Sequence, residues 1–306
     1  MLELRLLRQF VAVAEELNFR RAAARLHMSQ PPLSVAMQNL EKIVGTALLD
    51  RSRHHVRLTP AGQAFHRDVR RLLQQVEQAQ VRARRVGAGL EGVLRLALVP
   101  SAALDVLPAI LKRFTRDYPD VQLELTAETT SRQIADLRDG HVDLALVVGP
   151  VSDARGLVVT NLQAQAFVIA VSAGHALARR RSVRMRELAA EPFVSFPAAE
   201  GAGFVAALLA ACRSAGFLPR VAQQAAQMQA ILTLVAGGLG IALVPASMRR
   251  LRMEDVRFLD IVGARSPPTY RLAFAHADDN DNPIVRGFVA TARRAMKDAL
   301  RARNPA

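Results

Sequence analysis

The chain has 306 residues, 51% of them hydrophobic, and 41 Lys and Arg against 27 Asp and Glu, a formal net charge of +14. This length implies more than one domain and the aliphatic content supplies a sizeable core. A single cysteine, Cys212, excludes an intramolecular disulfide and a two-cysteine redox switch, and fits a reducing cytoplasm. Residues 1–87 hold 15 Arg and Lys against 7 Asp and Glu, whereas residues 88–306 hold 26 against 20. The basic excess is therefore concentrated at the N-terminal end, as contacts with a polyanion require.

Residues 3–17 have the period of an amphipathic helix, with Leu7, Phe10, Val11, Ala14 and Leu17 expected inward. Arg5, Arg8, Glu15 and Glu16 punctuate this stretch, so no signal peptide is expected. Asn18 is a good N-cap for a second helix carrying Phe19, Ala22, Ala23 and Leu26 on one face, and His27-Met28 breaks the pattern. Ser29 is expected to cap a third helix, whose first turn holds Pro31 and Pro32, where prolines remove no helical hydrogen bond. Leu33, Met37, Leu40 and Val44 recur inward and leave Gln30, Ser34, Val35 and Gln38 outside. A helix whose outer face is short and polar, beside arginines, suits the DNA major groove. On pattern alone, an ordinary three-helix core with a solvated face fits as well.

Ala47 to Leu58 reads as a two-stranded wing: Leu48-Leu49 anchors it, Arg51, Arg53, His54, His55 and Arg57 decorate it, and Val56 and Leu58 point inward. Such arginines hold phosphates or enter the minor groove; a solvated hairpin is the plain alternative. Thr59 is expected to cap a long helix from Pro60 to about Val86. Phe65, Val69, Leu72, Val76, Ala79, Ala83 and Val86 follow at alternating steps of four and three, a heptad seam that implies a dimer. Gly87-Ala88-Gly89-Leu90-Glu91-Gly92 spells a dinucleotide-binding pattern, but it follows a helix and precedes a strand, so a flexible interdomain hinge is the better reading.

From Val93 strands and helices alternate: strand 93–99, helix 102–117, strand 121–126, helix 131–139 and strand 144–148. A second unit follows, with strands near 167–171, 193–195 and 241–244 and helices at 204–215 and 227–236. Residues 270–276 and a final helix from Pro283 to about Arg301 return to the first unit. The alternation predicts a parallel, doubly wound sheet in two subdomains with a cleft between them. Ala230 to Met248 is uncharged and long enough to span a bilayer, but Gly237, Gly238, Gly240 and Pro245 divide it into a buried helix, turn and strand. No membrane partner is expected.

In open α/β sheets ligands bind beyond the carboxyl ends of strands. There the chain carries Ser101 with Ala102, and Thr129-Thr130-Ser131, short hydroxyl residues at helix starts that suit a carboxylate. Capping alone explains them equally well. No G-x-S-x-G, H-E-x-x-H or Gly-Lys-Ser/Thr phosphate loop is present, and the scattered histidines form no metal set, so neither an enzyme nor a cofactor is expected.

The pieces LRLLRQFVAVAEELNF, AAARLHMSQPPLS, LEKIVG, ALLDRS and VRLTPAG, in this order, closely resemble the N-terminal domain of LysR-type transcriptional regulators. The regions downstream resemble that family's effector domain. The resemblance implies an all-α winged helix-turn-helix DNA-binding domain over 1–59, a linker dimerisation helix over 60–87, and an α/β effector domain over 88–306. That domain comprises two Rossmann-like subdomains of periplasmic-binding-protein type, about 93–162 with 266–302, and about 163–265. Gln30, Pro31, Pro32, Ser34, Val35 and Gln38 then face bases, Arg20, Arg21, Arg51 and Arg53 hold the DNA backbone, and His54 is a further DNA-binding residue. Effector contacts fall on Ser101, Ala102, Thr129, Thr130, Gly149, Phe196, Pro197, Phe204, Gln227 and Met228, with Phe65, Val69, Leu72, Val76, Ala79 and Ala83 in the dimer seam. The implied partners are operator DNA with inverted half-sites, a small organic or aromatic acid, further copies in a homodimer and homotetramer, and RNA polymerase. A binding or transport-type module that borrows the cleft fold is the alternative. Many family members carry arginine after the serine of the QPxLS motif; Val35 stands there instead, offering only apolar contact.

Overall fold

The structure, a computed structural model, describes residues 2–51, 55–263 and 267–303. It divides into two units, Met1–Arg85 and Val86–Ala306. The first comprises α1 (Leu4–Glu16), α2 (Phe19–Arg25), α3 (Gln30–Val44), β1 (Leu49–Arg51), β2 (Val56–Leu58) and most of α4 (Pro60–Gly87), which crosses the border.

Local chemistry sets most of these boundaries. Leu17 ends α1 in left-handed backbone with φ of 48° and is 47% exposed, so it is a C-cap and not the inward residue expected. The inward face is instead widened by Gln9, Ala12 and Val13 beside Leu7, Phe10 and Ala14. The Asn18 side chain accepts the Arg21 N–H at 3.1 Å, capping α2. Ser29 stands at the N-cap of α3 but its side chain makes no cap bond. Gly45, at φ of 81°, closes α3.

Phe10, Leu33, Met37 and Leu40 are fully buried, and Phe10 packs on Phe65 of α4 at 5.2 Å between ring centroids. Burying each such side chain contributes about 1.5–3 kcal/mol. This packing corrects part of the expected seam. Val69 is buried in this same core and Phe65 packs against it, so these two residues serve their own unit. Of the other expected seam positions, Leu72, Ala79, Ala83 and Val86 are exposed in the single chain and Val76 is half-buried.

His66, on the same turn of α4, lies edge-on to Phe10 at 6.3 Å, and its Nε2 has no hydrogen-bond partner among the described residues. Desolvation holds its pKa below 6.5, with Glu15 opposing and Arg70 reinforcing. The unfolded chain therefore binds this proton more readily, and stability is lost as pH falls from about 6.5 toward the lower folded value. Thermal unfolding at pH 7 and pH 5 should show a larger drop for the wild type than for His66→Gln. Equal drops would remove His66 as the cause.

The second unit comprises β3 (Glu91–Leu98), α5 (Pro100–Ala103), α6 (Leu107–Asp117), β4 (Asp120–Ala127), α7 (Thr130–Arg138), β5 (Leu144–Gly149), β6 (Leu157–Ser172), β7 (Ser182–Arg184), β8 (Pro192–Ser195), α8 (Ala202–Ser214), β9 (Arg220–Gln224), α9 (Met228–Ala236), β10 (Ala242–Pro245), β11 (Val256–Val262), β12 (Thr269–Ala277) and α10 (Pro283–Arg303). One helix expected over 102–117 is two, because Leu104–Val106 is held from outside. Arg250 donates to the Leu104 carbonyl and approaches Asp105 at 3.8 Å.

The large sheet runs β4-β3-β5-β12-β6-β11-β7, with β10 also on β6, while β8 and β9 pair separately. β3 is parallel to β4 and β5, but β12 is antiparallel to both β5 and β6. The sheet is therefore mixed, not parallel throughout. β6 explains this. Its residues Leu157–Ala166 pair with β12, and Phe167–Ser172 pair with β10 and β11, so one strand serves both subdomains. A long strand entering from the neighbouring subdomain needs no crossover helix, and antiparallel pairing follows.

Part of the glycine-rich stretch after α4 is packed within the second unit. A Cβ on Gly89, at φ of +69°, would lie 2.9 Å from the Pro283 and Ile284 backbone, and one on Gly92, at φ of +143°, would lie 3.0 Å from Ile284 Cδ1. These positions seat the segment against the start of α10. Residues 230–248 form most of α9, an exposed glycine turn, the buried strand β10 and the residues that follow it, and no described helix is long and apolar enough to cross a membrane.

Candidate functional site

In the first unit, α3 presents Gln30, Pro31, Pro32, Val35 and Gln38 to solvent, with Ser34 half-buried and Val35 65% exposed. This polar face coexists with the buried Leu33–Met37–Leu40 stripe because the helix period separates them. The wing is tied to α3 by Glu41, whose Oε1 accepts both the Leu48 and the Leu49 N–H at 2.9 Å. Arg57 is exposed on β2, and Arg51 lies in β1; Arg53 and His54 fall outside the described residues. Of the arginine pair on α2, Arg21 is bound to Glu16 at 2.7 Å, which lowers the Glu16 pKa, while Arg20 is exposed. Arg25 bridges Glu15 at 2.8 Å and Glu16 at 3.5 Å.

In the second unit, a cleft is lined by Val99, Pro100, Ser101, Glu128, Thr129, Thr130, Val148, Phe196, Glu200, Gly201, Phe204, Ala226, Gln227 and Met228. Seven of the expected effector residues meet there: Ser101, Thr129, Thr130, Phe196, Phe204, Gln227 and Met228. Three do not line it. The Ala102 methyl is fully buried in the core, Gly149 is buried at the end of β5, and Pro197 is half-buried in the loop after β8. Glu128, Glu200 and the apolar Val99 and Val148 were missed. Nothing periodic marks them, since each reaches the cleft through a loop or strand end.

Each hydroxyl has a defined role. Ser101 is 5% exposed and lies near the Tyr270 hydroxyl, whose pKa is pushed well up by burial with Ser101 opposing the shift. The Thr129 Oγ1 accepts the Arg132 N–H at 3.4 Å, capping α7, and donates to Glu200 Oε2 at 2.8 Å. The Thr130 Oγ1 accepts the Val148 N–H at 3.3 Å, fixing α7 to β5. Gln133, fully buried, donates to the Glu128 carbonyl at 2.9 Å and so shapes the turn into α7. Phe204 packs on Phe167 at 5.3 Å, on Tyr270 at 5.8 Å and on Phe196 at 5.9 Å, so it is both core and cleft wall.

The enclosed volume is only about 40 Å³, room for a few water molecules, against the several hundred of an occupied small-molecule site. The cleft is closed. A wider surface groove of about 670 Å³ lies among Arg184, Arg186, Ala207, Ala211 and Thr269 and shares none of the expected residues. Cys212 is buried on α8 with its thiol pushed up to about 11 by burial, which leaves no accessible thiolate for chemistry. No group of metal-ligating side chains occurs among the described residues.

Comparison with known proteins agrees with this architecture. Residues 4–63 match the model of the bacterial regulatory helix-turn-helix protein, lysR family, and residues 87–297 match the LysR substrate binding domain. The chain is 33% identical over 288 residues to the HTH-type transcriptional regulator AlsR of Bacillus subtilis (strain 168), covering 94% of each chain. It is also 33% identical to the Hca operon transcriptional activator HcaR of Escherichia coli (strain K12), covering 96% of this chain and 98% of that one. The solved structure of full-length CbnR complexed with its target DNA matches with a TM-score of 0.83 and 30% identity, over 96% of this chain and all of that one.

Proposed function

The chain belongs to the LysR family of DNA-binding transcriptional regulators, and from that premise we propose which residues read DNA and which receive the effector. Its relatives are regulators, so the transport-type alternative is set aside. Gln30, Ser34, Val35 and Gln38 face base edges, with Pro31 and Pro32 fixing the first turn of α3. Arg20, Arg51, Arg53 and Arg57 hold phosphates. Arg21 is secondary, because Glu16 already neutralises it. The observation that carries this reading is the solvent-facing polar side of α3 beside a basic wing.

The effector, a small organic or aromatic acid, sits in the cleft with its acidic group toward Thr129 and Ser101 and its body against Phe196, Phe204 and Met228. Leu72, Val76, Ala79 and Ala83 supply the dimer seam that remains once Phe65 and Val69 are assigned to their own core. The dimer pairs again into a tetramer, acts in the cytoplasm and meets RNA polymerase at the promoter. Since the cleft is closed, the effector acts by population shift: it stabilises an open arrangement that the free protein visits rarely.

A salt-titrated footprint of the protein on the intergenic DNA upstream of its own gene tests this. Two protected patches of inverted sequence, weakening steeply with salt, are expected. Protection indifferent to sequence at every salt concentration would overturn the assignment of α3.

A further inference from the structure

We propose that Glu200 is the latch of the effector cleft and the internal competitor of its ligand: the Glu200 carboxylate occupies the seat at the start of α7 that an acidic effector would take. The proposal rests on the effector assignment above and names the residue that sets its threshold.

Three bonds hold the loop 196–201 across the cleft mouth. The Thr129 hydroxyl donates to Glu200 Oε2 at 2.8 Å, the Ser131 hydroxyl donates to the Ala199 carbonyl at 2.6 Å, and the Ser131 N–H donates to the Glu200 carbonyl at 3.4 Å. Only the first involves a charge. Because the same Thr129 oxygen accepts the Arg132 N–H, the carboxylate stands one hydroxyl away from the positive end of the α7 dipole. The loop is also packed into place. A Cβ on Gly201 would lie 3.1 Å from the Phe196 ring, and one on Gly203 would lie 2.7 Å from the Val148 carbonyl.

The lining contains two carboxylates, Glu128 and Glu200, and no Lys or Arg. An acid entering this cleft meets like charge unless Glu200 leaves, and the single hydroxyl of Thr129 cannot donate to both at once. Displacement of Glu200 frees the loop, and the cavity can then enlarge from its closed volume of about 40 Å³. The latch therefore links effector charge to cleft opening. It lowers apparent affinity by the fraction of molecules in which the latch is open.

Hydrogen exchange of the full-length protein and its Glu200→Ala and Glu200→Gln variants tests the latch without any ligand. Exchange over residues 128–134 and 196–204 should be about tenfold faster in Glu200→Ala, with Glu200→Gln between, because its amide oxygen still accepts from Thr129 but carries no charge. Unchanged exchange across β3, β5 and β12 controls for unfolding. Identical exchange at the loop in all three proteins would overturn the latch.

Competition is read with benzoate, benzamide and benzylamine as probes. Benzoate should bind Glu200→Ala about tenfold more tightly than wild type, with a smaller gain for benzamide, which is relieved of the closed latch but not of charge competition. Equal benzoate affinity would overturn the competition, as would benzylamine binding that is lost in Glu200→Ala, since Glu200 would then be the receptor of a cation. Benzoate protecting the cleft in neither protein would overturn the acid seat assigned above, while the exchange rates still decide the latch.

Discussion

Replacing Gly62 with alanine is expected to destabilise the N-terminal unit by about 3 kcal/mol or more, although it puts the best helix former into a helix. Propensity alone predicts a gain of about 1 kcal/mol, because glycine in a helix leaves more backbone entropy to be lost on folding. Contact reverses the sign. A Cβ at Gly62 would sit 2.0 Å from the Leu48 carbonyl oxygen, 2.9 Å from its carbon and 3.2 Å from Leu58 Cδ2. Nothing nearby can yield cheaply. The Leu48 oxygen accepts the Thr59 N–H at 3.0 Å, the Thr59 hydroxyl donates to Ala47 at 2.8 Å, and the Gly62 N–H donates back to Thr59 Oγ1 at 2.9 Å. The start of α4 and the root of the wing are thus laced together, and an added methyl must push them apart. Thermal unfolding of Gly62→Ala beside the exposed control Gln63→Ala should show a large drop for the first only, with operator binding falling as the wing shifts. A rise in Tm for Gly62→Ala would mean that propensity outweighs this contact.

Gln30→Ala and Arg20→Ala should weaken DNA binding in two different ways. A side chain that reads a base edge contributes about 1–3 kcal/mol of discrimination, so Gln30→Ala should narrow the affinity gap between operator and scrambled duplex by about ten- to a hundredfold. Its salt dependence should stay unchanged. Arg20→Ala should weaken both duplexes alike and reduce the slope of log affinity against log salt by about one, as one released counterion is lost. Arg21→Ala supplies the internal contrast. Its guanidinium is held at 2.7 Å by Glu16, so its removal should change the slope less than Arg20→Ala does. If both arginines change the slope equally, Glu16 does not shield Arg21 in the complex. If Gln30→Ala acts on both duplexes alike, α3 does not read bases.

What the sequence settled by itself is what neighbours in the chain decide. Asn18 caps the helix that follows it, and the spacing of Leu33, Met37 and Leu40 separates a buried side of α3 from a polar one, because the helix period acts within a few residues. The strand–helix alternation from Val93 to Gly149 was legible for the same reason, as were the hydroxyls at the start of α7. Only the tertiary structure decided the rest. The short strands β7 and β9 carry too few residues for a period, and the antiparallel placing of β12 depends on which long strand lies beside it. Phe65 and Val69 fit a dimer seam in one dimension and the core around Phe10 in three. Gly62 reads as a poor helix residue until Leu48 is set against it, and Glu200 as a loop carboxylate until folding brings it to Thr129, 71 positions away in the chain. Periodicity records which side of an element is apolar, whereas close approach and charge competition belong to pairs of residues that only the folded chain brings together.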